Sequence, residues 1–534
     1  MVKMRRGFLA LATVLAGCTF AEQGRFGISH GSDDAAVRMD RALFAYFRDF
    51  AEPWNETEYY TNFVCNAKAY EFMKDKIPLF ECSDAAIERT YYFRWWTFRK
   101  HLKVSADGSR RAISEFMPYV GWCGELDTIA CPMGHHLRDA RWFDGGAWAR
   151  DYLAFMLREG EVTGPRSYVN WPAVGAEDLA AVTGDPSFFD ARLGEFTLHH
   201  AAWERGWPNA HWYNGRGTNE LFRVVDGNEG MEGSACIYGE RLIINCAFAA
   251  NARAIAAMAR RTGDAEVAAD YAARAEALER LIRERLWNAK VGFFTSRLPG
   301  GTPVDDRDLT GYAPWYFGQN PEGCDAAWSQ LFDTNGFSAP IGLTTLERRS
   351  KKFKILYEGH ECMWNGPVWP YASSMTLVAL ANYLQTGGTA LTANDYGRLL
   401  HQFAAAHVRV REDGRRVDWI DEDQDPFTGV WIARDILERK RAETEKRTGK
   451  RGRVERGKDY YHSSFVDLVI SGLVGVRPSL ARDVPDVRPL VPDDMAYFRL
   501  TNLRYHGKTF DIAYDRDGTR YGLGRGLTVR ELKP

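Results

Sequence analysis

Two short acidic loops hold the side chains best suited to chemistry. DGNEGMEGS (226–234) sets Asp226, Glu229 and Glu232 among glycines, and DEDQDPFTGVW (421–431) sets Asp421, Glu422, Asp423 and Asp425 around Pro426 and Gly429. Neither loop needs that many acids for structure, although an Asp in a turn commonly caps its own backbone, the role read for Asp425 and also open to Asp226. Two carboxyl groups facing each other across a cleft would suit cleavage of a glycosidic bond. One protonates the leaving oxygen, and the other attacks the sugar or activates water. A third segment, MWNGPVWPY (363–371), contributes rings. Pro367 and Pro370 exclude helix interior, so Trp364, Asn365, Trp369 and Tyr371 belong to a connecting loop, where the rings either stack on a flat hydroxylated ligand or cover the core beneath them.

Other chemistries lack their residues. His360-Glu361 begins like a zinc-protease helix, but Trp364 stands where the second histidine belongs. Adjacent His135 and His136 point in different directions on most backbones and make a weak metal site. A serine-hydrolase elbow and glycine-rich phosphate loops are missing. No metal or cofactor is therefore expected. A net charge of −2 and a pI near 6.7 give no basic field, which argues against nucleic acid as a partner and for a neutral or weakly charged ligand.

The elements that must position these loops read as helices. Over 242–287, Ile244, Phe248, Ile255 and Met258 share one helical face, and Val267, Tyr271, Leu278, Ile282 and Leu286 share another. Gly263 can end the first helix and Asp264 can cap the second. Similar joints recur at Thr183-Gly184-Asp185-Pro186 and Thr386-Gly387-Gly388, so the chain is a series of helical hairpins. Their uneven spacing fits hairpins closing into a ring better than a solenoid. From about 484 the text alternates apolar and polar residues around His506-Gly507 and Asp517-Gly518, which predicts a small β unit. The mixed-charge stretch 436–459 reads as a solvated helix or loop.

WNGPVWPY resembles the WxGPxWP signature of (α/α)6-barrel glycoside hydrolases, notably family 63 and mannosylglycerate hydrolase-like enzymes, and more distantly family 37 trehalases. GNEGMEGS is similar to the loop that carries their general acid, and EDQDPFTG to the loop whose leading Glu is their general base. LWNAKVGFF (286–294) follows the hairpin as it does in those relatives. The resemblance covers roughly residues 80 to 478. It implies a mainly α fold, an (α/α)6 barrel (six-hairpin glycosidase toroid) assigned to 51–478; outside it, 19–50 is expected to be a linker, and the alternating stretch makes 479–534 a small C-terminal β domain. It further implies an inverting mechanism with Glu232 as acid and Glu422 as base, acting on an oligosaccharide or polysaccharide with an α-linked glucosyl or mannosyl end. Those relatives usually carry Asp at the acid position, which leaves Asp226 and Glu229 as alternatives, and Asn365 replaces an Arg.

Arg94, Trp95, Trp122, His135, His136, Arg141, Trp142, Trp364, Asn365, Trp369 and His462 are the further residues expected around a bound sugar, in a pocket sealed at one end as an exo-acting enzyme requires. A carbohydrate-binding lipoprotein without turnover and a polysaccharide lyase using Tyr or His as base are the other readings. Lys3, Arg5 and Arg6 before an apolar run at Phe8–Ala16 read as an export signal (1–18), too short to span a membrane. Leu15-Ala16-Gly17-Cys18 resembles a bacterial lipoprotein processing site, which would lipidate Cys18 and anchor an exported chain in the periplasm or at the cell surface.

Overall fold

The computed structural model describes residues 34–52, 63–117, 120, 123–158, 168–206, 220–449 and 457–533. The segment read from sequence as an export signal, with Cys18, lies outside the described residues. Helices dominate, and the first begins inside the stretch expected to be a linker. In α1 (Asp34–Phe50), Met39, Leu43, Phe47 and Phe50 recur at helical spacing and are buried against α2 (Ala85–Lys100). Asp84 starts α2 by accepting from the Ala86 and Ile87 N–H groups.

Further helices follow as neighbours: α3 (Met133–Ala140), α4 (Ala147–Arg158), α5 (Pro172–Thr183), α6 (Leu193–Arg205), α7 (Leu242–Thr262) and α8 (Ala265–Leu281). α3 packs on α4, α4 on α5, and α5 and α6 on α7. The α7–α8 hairpin turns where the sequence indicates. Gly263 adopts φ +80°, a conformation costly for any residue with a Cβ, and Asp264 accepts from the Val267 N–H. α7 is long and apolar enough to cross a membrane by composition, but it is buried inside the protein as a core helix.

Late in the chain come α9 (Pro370–Gln385), α10 (Ala393–Ala405) and α11 (Ile432–Thr448). α9 packs on α10, and α10 on α2, so late helices meet early ones. α11 carries most of the mixed-charge stretch and exposes much of it.

The C-terminal strands form less of a separate unit than the alternation suggests. β1 (Leu79–Cys82), far upstream, pairs antiparallel with β2 (Tyr497–Tyr505), which pairs with β3 (Lys508–Asp515) and then β4 (Gly526–Leu532). Phe498, Leu500, Leu503, Phe510 and Ile512 enter the same continuous core as the helices. A local pattern shows that strands exist, but it cannot show that their fourth partner lies over 400 residues away.

Candidate active site

The aromatic loop is the point where both acidic loops attach. The Trp364 N–H donates to the Glu232 carbonyl at 3.0 Å, and Val368 exchanges a pair of backbone hydrogen bonds with Gln424, each 2.9 Å. Glu232 and Glu422 are thereby drawn to opposite flanks of one segment. Gly366 permits this path, since a Cβ there would sit 2.3 Å from the Lys354 carbonyl oxygen. Trp364 and Trp369 stack on each other with ring centres 4.5 Å apart, and Trp369 donates its indole N–H to the Met363 carbonyl.

Glu232 and Glu422 both line a cavity of about 220 Å³, walled by Trp364, Trp369, Tyr371, Tyr460 and His462, with Glu115, Cys131 and Cys362 also lining it. Glu422 is strongly perturbed. Burial pushes its pKa well above the usual carboxylate range, and Asp421, Asp423, Glu115 and Glu232 add like charge. Glu232 is half-buried and accepts from the Cys362 thiol at 3.1 Å. Burial, then Glu232 and Glu422, raise the Cys362 pKa, which keeps that thiol a neutral donor.

The remaining acids of both loops hold structure. Asp226 accepts from the Gly227 N–H and from the Ser234 N–H and hydroxyl, fixing the loop that presents Glu232. Glu229 is buried against Arg241 at 2.7 Å and accepts from the Ile244 N–H in the first turn of α7. Asp421 pairs with buried Arg434 at 2.8 Å, Asp423 accepts from the Ala433 N–H at the start of α11, and Asp425 caps its own turn at Phe427 and Thr428.

Among the other residues anticipated from sequence, His462 is at the cavity, its ring 3.7 Å from that of Tyr460 and edge-on to Trp369. Burial and the nearby Arg94 keep it neutral. Several others are turned into the core. Arg94 donates to Ser463 and faces the Tyr461 ring, and Trp95 packs among Tyr91, Phe98 and Phe143. His136 bonds Tyr152 and the Tyr461 carbonyl. His135 lies one layer behind the wall, its ring 4.4 Å from that of Tyr371. Arg141 and Trp142 both donate to Asp467, and neither lines the acidic cavity. Asn365 is absent from the cavity wall, its carbonyl accepting from the Lys354 N–H. Trp122 lies outside the described residues.

Sequence reasoning passed over Glu115, whose segment carries no motif. It accepts from the Tyr460 hydroxyl and brings a third carboxylate to the cavity. Among the described residues no cluster of His, Cys, Asp and Glu fit to hold a metal occurs, and the eight described cysteines are free thiols.

Residues 125–463 match the family described as the mannosylglycerate hydrolase MGH1-like glycoside hydrolase domain. The chain belongs to this family. The matched span contains Glu232, Glu422 and the aromatic loop, while Glu115 lies just before it. This MGH1-like chain is also similar to a solved structure titled "Sialidase", at 31% identity and a TM-score of 0.80 over 92% of its length, and it spans 43% of the length of that structure. An α-L-rhamnosidase from Dictyoglumus thermophilum shares the fold, with a TM-score of 0.50 and 12% identity over 82% of this chain and 43% of its own. A GH63 mannosylglycerate hydrolase from Thermus thermophilus matches at 15% identity and a TM-score of 0.44, over 64% of this chain and 98% of its own. No curated protein matches the chain.

Proposed function

We propose that this MGH1-like chain is an exo-acting, inverting glycosidase built on an (α/α)6 barrel, with Glu232 as general acid and Glu422 as general base. The observation that carries the reading is a single small cavity lined by both carboxylates and walled by aromatic rings. Asp226 and Glu229 are committed to holding the loop, which leaves Glu232 as its cavity-lining acid. Helices that pack in chain order, with α10 returning to α2, fit a toroid of hairpins.

Charge narrows the substrate. Among the described residues, three carboxylates and no Arg or Lys line the cavity. A sugar carrying its own carboxylate would enter against like charge, so the substrate is a neutral sugar, α-linked glucose or mannose being the family expectation. The same feature weighs against a lyase acting on uronic acids. The cavity holds about one ring, which favours attack at a chain end.

The test is a panel of neutral and acidic oligosaccharides, followed by NMR of the first-formed anomer. Release of a neutral terminal sugar as the inverted anomer supports the proposal. Release only of acidic sugars, retention of configuration, or an unsaturated product absorbing in the ultraviolet would overturn it. The export reading carries its own test. Cys18→Ala should move the protein from the membrane fraction to the soluble fraction with its fold intact, and a wild-type chain already soluble would refute lipidation.

A further inference from the structure

The segments that wall the acidic cavity continue to a second cavity at their far ends. α9 begins beside Trp369 and Tyr371 and reaches Asn382 at the second cavity, and the segment that starts at His462 reaches it at Arg477. This cavity, of about 370 Å³, is lined by Arg138, Arg141 and Arg477 together with Asp178 and Asp467.

The five charges do not cancel. Asp467 lies 2.6 Å from Arg141 and 3.4 Å from Arg138, and Asp178 lies 3.6 Å and 3.8 Å from the same two guanidiniums. Burial opposes ionisation of Asp467, but Arg141 and Arg138 hold its pKa down to about 2, so those four groups form a neutral set. Arg477 is the excess. Its hydrogen bonds go to the neutral amide oxygens of Asn382 and Gln385, at 3.0 and 2.9 Å. Burial, followed by repulsion from Arg141 and Arg138, lowers its pKa. A half-buried guanidinium that lines a cavity and makes its hydrogen bonds to neutral amide oxygens rather than to a carboxylate can serve as the counter-ion of an oxyanion.

We propose that this second cavity binds a small oxyanion, with Arg477 as its counter-ion. The volume leaves room for hydroxylated carbons behind the anionic group, so inorganic phosphate and a sugar acid satisfy the same chemistry. The proposal is independent of the activity assigned to the acidic cavity, which repels such ligands.

Isothermal titration of the full chain with inorganic phosphate, D-glucuronate and neutral D-glucose tests it, using wild type and Arg477→Gln. Either anion should bind at a single site at millimolar concentration or below. Arg477→Gln should weaken that binding by at least about tenfold, the loss expected for a charged hydrogen-bonding partner. Tighter binding of phosphate would identify an inorganic ion as the occupant, and tighter binding of glucuronate a sugar acid. Should the variant not fold, phenylglyoxal modification of the wild type read by peptide mass spectrometry decides, because the bound anion should protect Arg477. No binding of either anion, equal binding by Arg477→Gln, or modification of Arg477 unaffected by the anion would overturn the proposal.

Discussion

Glu422 combines burial with the company of other acids, and its pKa sets a direction for the pH dependence. The role of base proposed for Glu422 requires its ionised form, and a raised pKa means that ionisation comes only above the usual carboxylate range. The acidic limb of kcat/KM should therefore lie at higher pH than for an ordinary glutamate, and Glu115→Gln, by removing one like charge, should move it down. Glu422→Gln should cost about 10²–10⁴-fold or more in turnover. It should also raise the melting temperature at neutral pH. The folded state favours protonated Glu422, so the stability it contributes is complete at low pH and lost as pH rises towards its elevated pKa. A melting temperature that falls instead would show that the ionised form is well accommodated. Glu232→Gln should be rescued on substrates whose leaving group departs without a proton. Its motif, the Glu422 motif and the aromatic loop were all legible in the sequence because each is a local pattern. Glu115 was not, since its place depends on Tyr460, 345 positions away. The inward turn of Arg94 and Trp95 was equally hidden, because α2 is buried on nearly every face from Thr90 onward and offers no polar side to read.

At the scale of elements, the glycine-rich acid loop is fastened to α7. Glu229 joins Arg241, just before the helix, to the Ile244 N–H inside it, so the position of Glu232 depends on a buried ion pair. Arg241→Leu removes one partner and leaves the other charge stranded, which should cost about 3–5 kcal/mol in urea unfolding. Glu229→Gln keeps an acceptor for the helix N–H and should cost less. Equal losses in the two variants would mean that the pair contributes little beyond its packing. The hairpin joint at Gly263-Asp264 was readable because caps are local. The pairing of Val368 with Gln424 was not, since isolated bridges between loops leave no periodicity.

For the whole molecule, β1 makes the C-terminal strands part of the body rather than an accessory. Truncation before Tyr497 should expose the backbone edge of β1 and the core face behind Phe498 and Leu500, giving insoluble chain rather than a trimmed enzyme. A soluble, cooperatively folding truncation would show that the helices stand alone. The helical class and the β tail were visible in the sequence, whereas the strand that joins them needed the structure. That joint also sets a clock. Leu79 pairs with Thr501, about 420 positions later. At about 5–20 residues per second of synthesis, the first strand waits roughly 20–80 s for its partner. Whatever escorts the nascent chain over that interval therefore handles an unfinished sheet with an open edge.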